Sequence, residues 1–191
     1  MPNSLKYSPF KYLLLAMAAF GLTSFIAVPK SDDGTQPDLH VIRELLIAAL
    51  ESKKTTDSLY KSLGAMKDRP ALINAYMGTL EALKAKHAWN PYYKIKYLND
   101  CEKTFKSAVA TDPHNIEIRF MRFSIEHNVP KFLGYTKNLV ADREEMVKQL
   151  DAKHYASADK TLVKTIIKFL LDSKRCTAAE QKSLHQHLAA L

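Results

Sequence analysis

Glycine is scarce in this chain: Gly21, Gly34, Gly64, Gly78 and Gly134 are the only five in 191 residues. Two-residue β-hairpins draw on glycine for left-handed backbone, so the punctuation of an antiparallel β fold is nearly absent. A phosphate-cradling loop needs several glycines within a few residues, and no stretch supplies them. Cysteine is scarcer still, with Cys101 and Cys176 alone. The first lies too far along the chain to carry a lipid at the end of a leader. One bridge between the two is chemically allowed in an oxidising compartment, but Cys101 sits on an apolar stripe, where a thiol packs like a small hydrophobe. Also missing are the signatures of nucleophile-elbow hydrolases, zinc proteases, phosphate-loop enzymes and dinucleotide binders, which argues against the common enzyme classes. What is left points to an all-α fold that needs neither cofactor nor metal in order to fold.

One hundred and ninety-one residues suffice for one domain with its own core, or for one domain behind a short targeting segment. The formal charge is +8. Lys6 and Lys11 stand near the start with no acid beside them, so the chain after Val28 keeps 26 basic and 20 acidic residues. That excess is uneven: residues 69 to 111 carry 7 basic against 3 acidic and residues 155 to 191 carry 6 against 3, while the remainder is close to balanced. Neither region clusters its charge on one stripe among base-stacking aromatics, so no nucleic-acid partner is expected.

A basic start is followed by Leu13 to Val28, sixteen residues with only Thr23 and Ser24 polar. A spanning helix takes roughly 20 residues, so residues 1–28 read as a secretory signal peptide, or as a retained N-terminal anchor. The cleavage motif is poor, since Phe25 stands two residues before Ala27 where a small side chain is preferred. Pro29 to Pro37 has the composition of a linker. The expected folded part is residues 38–191, one all-α domain of about eight helices in stacked antiparallel hairpins, either a solenoid or an irregular bundle. The implied location is the periplasm or outside the cell.

Hydrophobic periodicity places the helices. The first runs from Leu39 to Ser52 with Asp38 as cap, the second from Thr56 to Met66. The third follows Asp68-Arg69-Pro70 to Ala88, with Ile73, Tyr76, Met77, Leu80 and Leu83 on a bulky face and Ala75, Gly78, Ala82 and Ala85 forming a ridge that lets a neighbour approach closely. Asn90-Pro91 caps a fourth, to Ala110, with Ile95, Leu98, Cys101, Phe105, Ala108 and Val109 inward. Asp112-Pro113-His114-Asn115 then opens a fifth, Ile116 to His127, apolar on nearly every side and suited to the middle of a bundle. The sixth, Thr136 to Lys153, turns Leu139, Val140, Met146, Val147 and Leu150 inward. The seventh starts at Ser157 or Asp159 and buries Leu162, Val163, Ile166, Ile167 and Leu170. The last carries a Thr177–Glu180 capping box and a Leu184, Leu188 and Leu191 face.

The stretch 92–115 resembles a tetratricopeptide repeat. Cys101, Phe105, Ala108 and Pro113 follow the spacing of that motif's second helix, and Tyr92 falls at its first-helix tyrosine. Its tryptophan and leucine-glycine slots hold Ala85, Ala88 and Trp89, Asn90-Pro91 interrupts its first helix, and no second copy follows at a period of about 34 residues. The resemblance implies stacked helix pairs and no particular ligand. The run from Trp89-Asn90-Pro91 through Asp112-Pro113-His114-Asn115 to Phe132-Leu133-Gly134-Tyr135 also resembles a group of exported bacterial proteins of no known activity.

If the third, fourth and fifth helices alternate in direction, the ends of the third and fifth share a pole, and 87–93 and 127–135 meet there. The recognition surface expected at that pole comprises Trp89, Asn90, Tyr92, Tyr93, Arg122, His127, Asn128, Lys131 and Tyr135, because aromatic, amide and cationic side chains dominate binding hot spots. The competing structural reading puts Trp89 and Tyr92 in the core and uses Asn90 and Asn128 as helix ends. Arg122 is expected to pair with Glu126 one turn on. His185 and His187 lie about 200° apart on a helix, so they form no metal pair. The favoured function is a non-catalytic protein- or peptide-binding or assembly module of the envelope. The alternatives are a small-ligand binder or enzyme with a pocket between 87–93 and 127–135, using His87, His127 and Arg122, and a module touching lipid through the basic face of Lys160, Lys164 and Lys168.

Overall fold

The computed structural model describes residues 38–155 and 158–191. Over them the chain is all α, as its composition and periodicity predict. Eight helices follow one another: α1 Leu39–Glu51, α2 Lys53–Gly64, α3 Ala71–His87, α4 Pro91–Thr111, α5 Ile116–Asn128, α6 Leu139–Asp151, α7 Lys160–Asp172 and α8 Ala178–Ala190, with a 3₁₀ turn at Lys131–Leu133. The leader at 1–28 and the linker at 29–37 lie outside the described residues.

Side-chain pairings fix the direction of each helix. Tyr76 on α3 donates to Glu117 on α5, and Thr79 to Met121, so α3 and α5 run parallel. The Lys86 ammonium reaches the Leu50 carbonyl while Arg43 reaches Glu117, so α1 runs with them. Between them α4 is antiparallel, its Lys94 donating to the carbonyls of Ala85 and Lys86. Antiparallel too is α6, whose Asp142 and Asn138 meet Arg119 and Glu126 of α5. The corners α1–α2, α3–α4 and α5–α6 therefore share one pole, called here the Trp89 pole.

Helix α5 is the shared wall of two cores. Ile118, Met121 and Ile125 face one cluster, with residues of α1 to α4, while Ile116, Phe120 and Phe123 face the other, with residues of α6, α7 and α8. These spacings of three to four residues put two apolar stripes on opposite flanks of one helix. Phe120 and Phe123 both set their rings edge-on to Phe169 at 5.5 and 6.1 Å. The other central helix is α3. At Gly78 an added Cβ would lie 2.9 Å from two ring carbons of Phe105, so the small ridge brings α4 close, as its spacing predicts.

Most boundaries follow from caps. Asp38, Asn90, Asn115, Asp159 and Thr177 each accept from a backbone N–H of the next turn, and Thr177 with Glu180 forms the reciprocal capping box. Where expectation and structure differ, a local interaction decides. The second helix starts at Lys53, since Ser52 alone separates it from α1 and its hydroxyl accepts from Thr55 N. The sixth starts at Leu139 and not at Thr136, because the Glu126 carboxylate accepts from the N–H of Asn138 and sets the first turn. Ile95 and Val140, expected inside, are 39 and 57 % exposed, each lying in the first turn or two of a helix that overhangs the core. Cys101 and Cys176 are both free and sit in different cores, so no bridge joins them.

Candidate functional site

The Trp89 pole carries aromatic side chains with nothing packed over them. Trp89 is 97 % exposed and Phe132 87 %, with Tyr92 at 70 % and Tyr93 at 49 %. The reason is local. Asn90 caps α4 through Tyr92 N and Pro91 occupies the first helical position, so the chain reverses within three residues and throws Trp89 outward. At the neighbouring corner Pro130 ends α5, the 3₁₀ turn follows, and Gly134 closes it with φ of 80°, a left-handed conformation that suits glycine. That turn projects Phe132 while Leu133 and Tyr135 fold back against the core. Tyr92 meets Tyr93 edge-on at 5.5 Å, Tyr93 stacks on Tyr97 at 6.3 Å, and the Lys84 ammonium lies 4.9 Å from the Tyr97 ring and 4.1 Å from that of Tyr60. Residues 82 to 99 contain four lysines and no acid, and residues 127 to 141 two lysines and no acid.

A second feature lies beside this pole, where α4, α5 and residues 135 to 138 enclose a cleft of about 200 Å³. Leu98, Cys101 and Phe105 line it from α4, Ile125 from α5 and Val129 from just beyond its end. Two latches hold the 135–138 segment down: Tyr135 donates to Asn99 at 2.6 Å, and Lys137 pairs with Glu102 at 3.0 Å. Arg122 and Glu126 also line it, and both are committed to structure. Arg122 forks onto the fully buried Asp142 at 2.7 and 2.6 Å, and Arg119 adds a third bond to that carboxylate at 2.8 Å. The expected Arg122–Glu126 pair is thus replaced: Glu126 takes both the N–H and the side-chain amide of Asn138, and Asp142 arrives from α6 with better geometry for a guanidinium fork. Burial holds the Glu126 carboxyl above its usual range.

The nine residues expected at one surface divide three ways. Trp89, Asn90, Tyr92, Tyr93 and Lys131 share the pole, with Asn90 engaged as a cap. Arg122 and Tyr135 line the cleft. His127 and Asn128 belong to the framework. His127 sits against Phe123 and Phe169 and accepts from Arg175 Nε at 2.9 Å, burial and that guanidinium holding it below the usual imidazole range, while Asn128 bonds back to the Ser124 carbonyl. The 87–93 and 127–135 segments share the pole as the alternation of helices predicts, but no residue of 87–93 lines the cleft. His87 reaches the Ala49 carbonyl instead. The reading that buried Trp89 and Tyr92 is overturned by their exposure.

No family model, curated protein or solved structure matches this chain.

Phe132, inside the 127–135 segment, is not among the nine residues expected at the surface. Its signal was the aromatic, glycine-closed connection after Pro130, in which Phe132 is the one apolar residue left over once Leu133 and Tyr135 turn inward. Among the described residues no cluster of His, Cys, Asp or Glu has the arrangement to hold a metal, and no helix is long and apolar enough to cross a membrane. His187 is occupied by Asp151 at 2.7 Å.

Proposed function

We propose that this chain is a non-catalytic binding module of the cell envelope and that the Trp89 pole is its working face. The observation that carries the reading is the exposure of Trp89 and Phe132 on two adjacent helix corners. A ring of that size left in water forgoes about 1.5–3 kcal/mol of burial, and neither corner needs an aromatic to cap or turn the chain. The buried charges Arg122, Glu117 and Asp142 all serve ion pairs inside the bundle. The partner is a protein segment or a lipid surface of the envelope. Photo-crosslinking side chains in place of Trp89 and of Phe132, with a third in place of Lys164 on the far flank, test it in intact envelopes. Adducts at the first two positions and none at the third are expected. Equal labelling at all three, or none, removes the pole as the working face.

The small-ligand reading moves to the cleft, whose volume exceeds that of an engineered apolar cavity of about 150 Å³ known to hold benzene. Methyl resonances of Leu98, Ile125 and Val129 that stay still across a panel of monocyclic and short aliphatic compounds would dispose of it.

A further inference from the structure

The identity of the pole's partner can be taken further, on the reading that the pole is the working face. Trp89 and Phe132 stand at helix corners, each with almost its whole surface in water, and neither lines the cleft. A partner that buries such rings must flow around them. Behind the rings stand phenols, Tyr92 and Tyr93, which prefer a zone apolar on one side and wet on the other. Behind those come six lysines over residues 82 to 99 and 127 to 141, more than the three carboxylates that Lys86, Lys96 and Lys137 meet in Glu51, Asp100 and Glu102, with long stems that let an ammonium reach outward past an apolar contact. Lys131 is exposed next to Phe132, while the Lys94 ammonium is taken up by the Ala85 and Lys86 carbonyls at the end of α3. A second copy of the chain would bring lysines to lysines. Residues 1–28 contain no acid to answer them.

We infer that the Trp89 pole seats on an anionic lipid bilayer, with Trp89 and Phe132 entering the interfacial zone and Lys131 facing the headgroup phosphates. Attraction to the phosphates supplies the approach and the orientation; the rings supply the hold.

Trp89 is the only tryptophan, so its emission reports this pole and no other part of the molecule. The full chain is mixed with vesicles of phosphatidylcholine alone, with vesicles that also contain phosphatidylglycerol, and with either type carrying brominated acyl chains. Anionic vesicles are expected to shift the emission to the blue, to quench it when brominated, and to lose much of the effect in high salt. Phe132→Ala lowers the partition coefficient roughly tenfold. Lys131→Gln lowers it roughly fivefold. Both sites are exposed, so far-UV circular dichroism of the variants should match the parent. Vesicle binding that leaves Trp89 emission unmoved shows attachment through another segment and overturns the inference. Equal shifts on neutral and anionic vesicles overturn the role of charge. A shift with polyglutamate and none with vesicles replaces the bilayer by an acidic protein. That last result, or protein adducts at position 89 without vesicle insertion, refutes the bilayer while leaving the pole a working face; absence of any adduct in the envelope refutes both.

Discussion

Replacing Asp142 by alanine is expected to be strongly destabilising. The carboxylate is 0 % exposed and accepts three charge-assisted bonds, two from Arg122 and one from Arg119. Arg119 has a second acceptor, the Pro113 carbonyl at 2.9 Å, and sits near the edge. Arg122 is 9 % exposed, and both of its bonds go to Asp142. Truncation strands its guanidinium between α5 and α6, where the cost of a buried charge that has lost its partner is about 3–5 kcal/mol. With a urea dependence of about 2 kcal/mol per molar for a chain of this size, the unfolding midpoint should fall by about 2 M. Asp142→Asn keeps an acceptor for part of the fork and should lose about half as much. Pairing Asp142→Leu with Arg122→Met removes both charges, and the double variant should be far more stable than the sum of its single changes predicts, because an apolar pair of similar volume often replaces a buried ion pair at little cost. Urea unfolding followed by circular dichroism measures all of these. A loss below about 1 kcal/mol for Asp142→Ala, or strict additivity in the cycle, would show that α5 and α6 are not joined by this pair.

At Gly78, intrinsic propensity says alanine should stabilise α3 by up to about 1 kcal/mol. The Cβ lying 2.9 Å from Phe105 reverses the sign, and Gly78→Ala is expected to lose about 1–2 kcal/mol; a gain in midpoint would show that α4 moves freely away. Glu81 is 7 % exposed, one of its oxygens has no partner, and burial, the main cause, raises its carboxyl above the ordinary 4.5. A carboxyl raised in the folded state binds its proton more tightly there, so the stability it contributes is present at low pH and is lost as pH rises from 4.5 through the raised value. Glu81→Gln should therefore be more stable than the parent at neutral pH and show a flatter fall as pH rises above 4.5, and parallel curves would contradict that. Burial also raises both thiols, Cys176 to about 11, so labelling of Cys101 and Cys176 by a thiol reagent should follow global unfolding in urea; fast labelling without denaturant would contradict their placement. Trp89→Ala and Phe132→Ala should each change stability by under about 0.5 kcal/mol, since both rings stand in water, and a larger loss would mean that they pack on something inside the molecule.

Local chemistry wrote much of this fold directly into the chain. Caps such as Asn90-Pro91, Asn115 and Thr177–Glu180 act within one turn, and the apolar repeats of α3, α5 and α7 act over a few, so both can be read without knowing what packs where. The partner of a charge cannot. Arg122 had Glu126 one turn away, yet the fully buried Asp142 of α6 took it, because that choice depends on how two helices lie across each other. Exposure is decided the same way. Composition alone allowed Trp89 either a place in the core or a place in water; the Asn90-Pro91 reversal turns it outward, and only the tertiary arrangement of the bundle, which packs nothing over that corner, leaves it 97 % exposed.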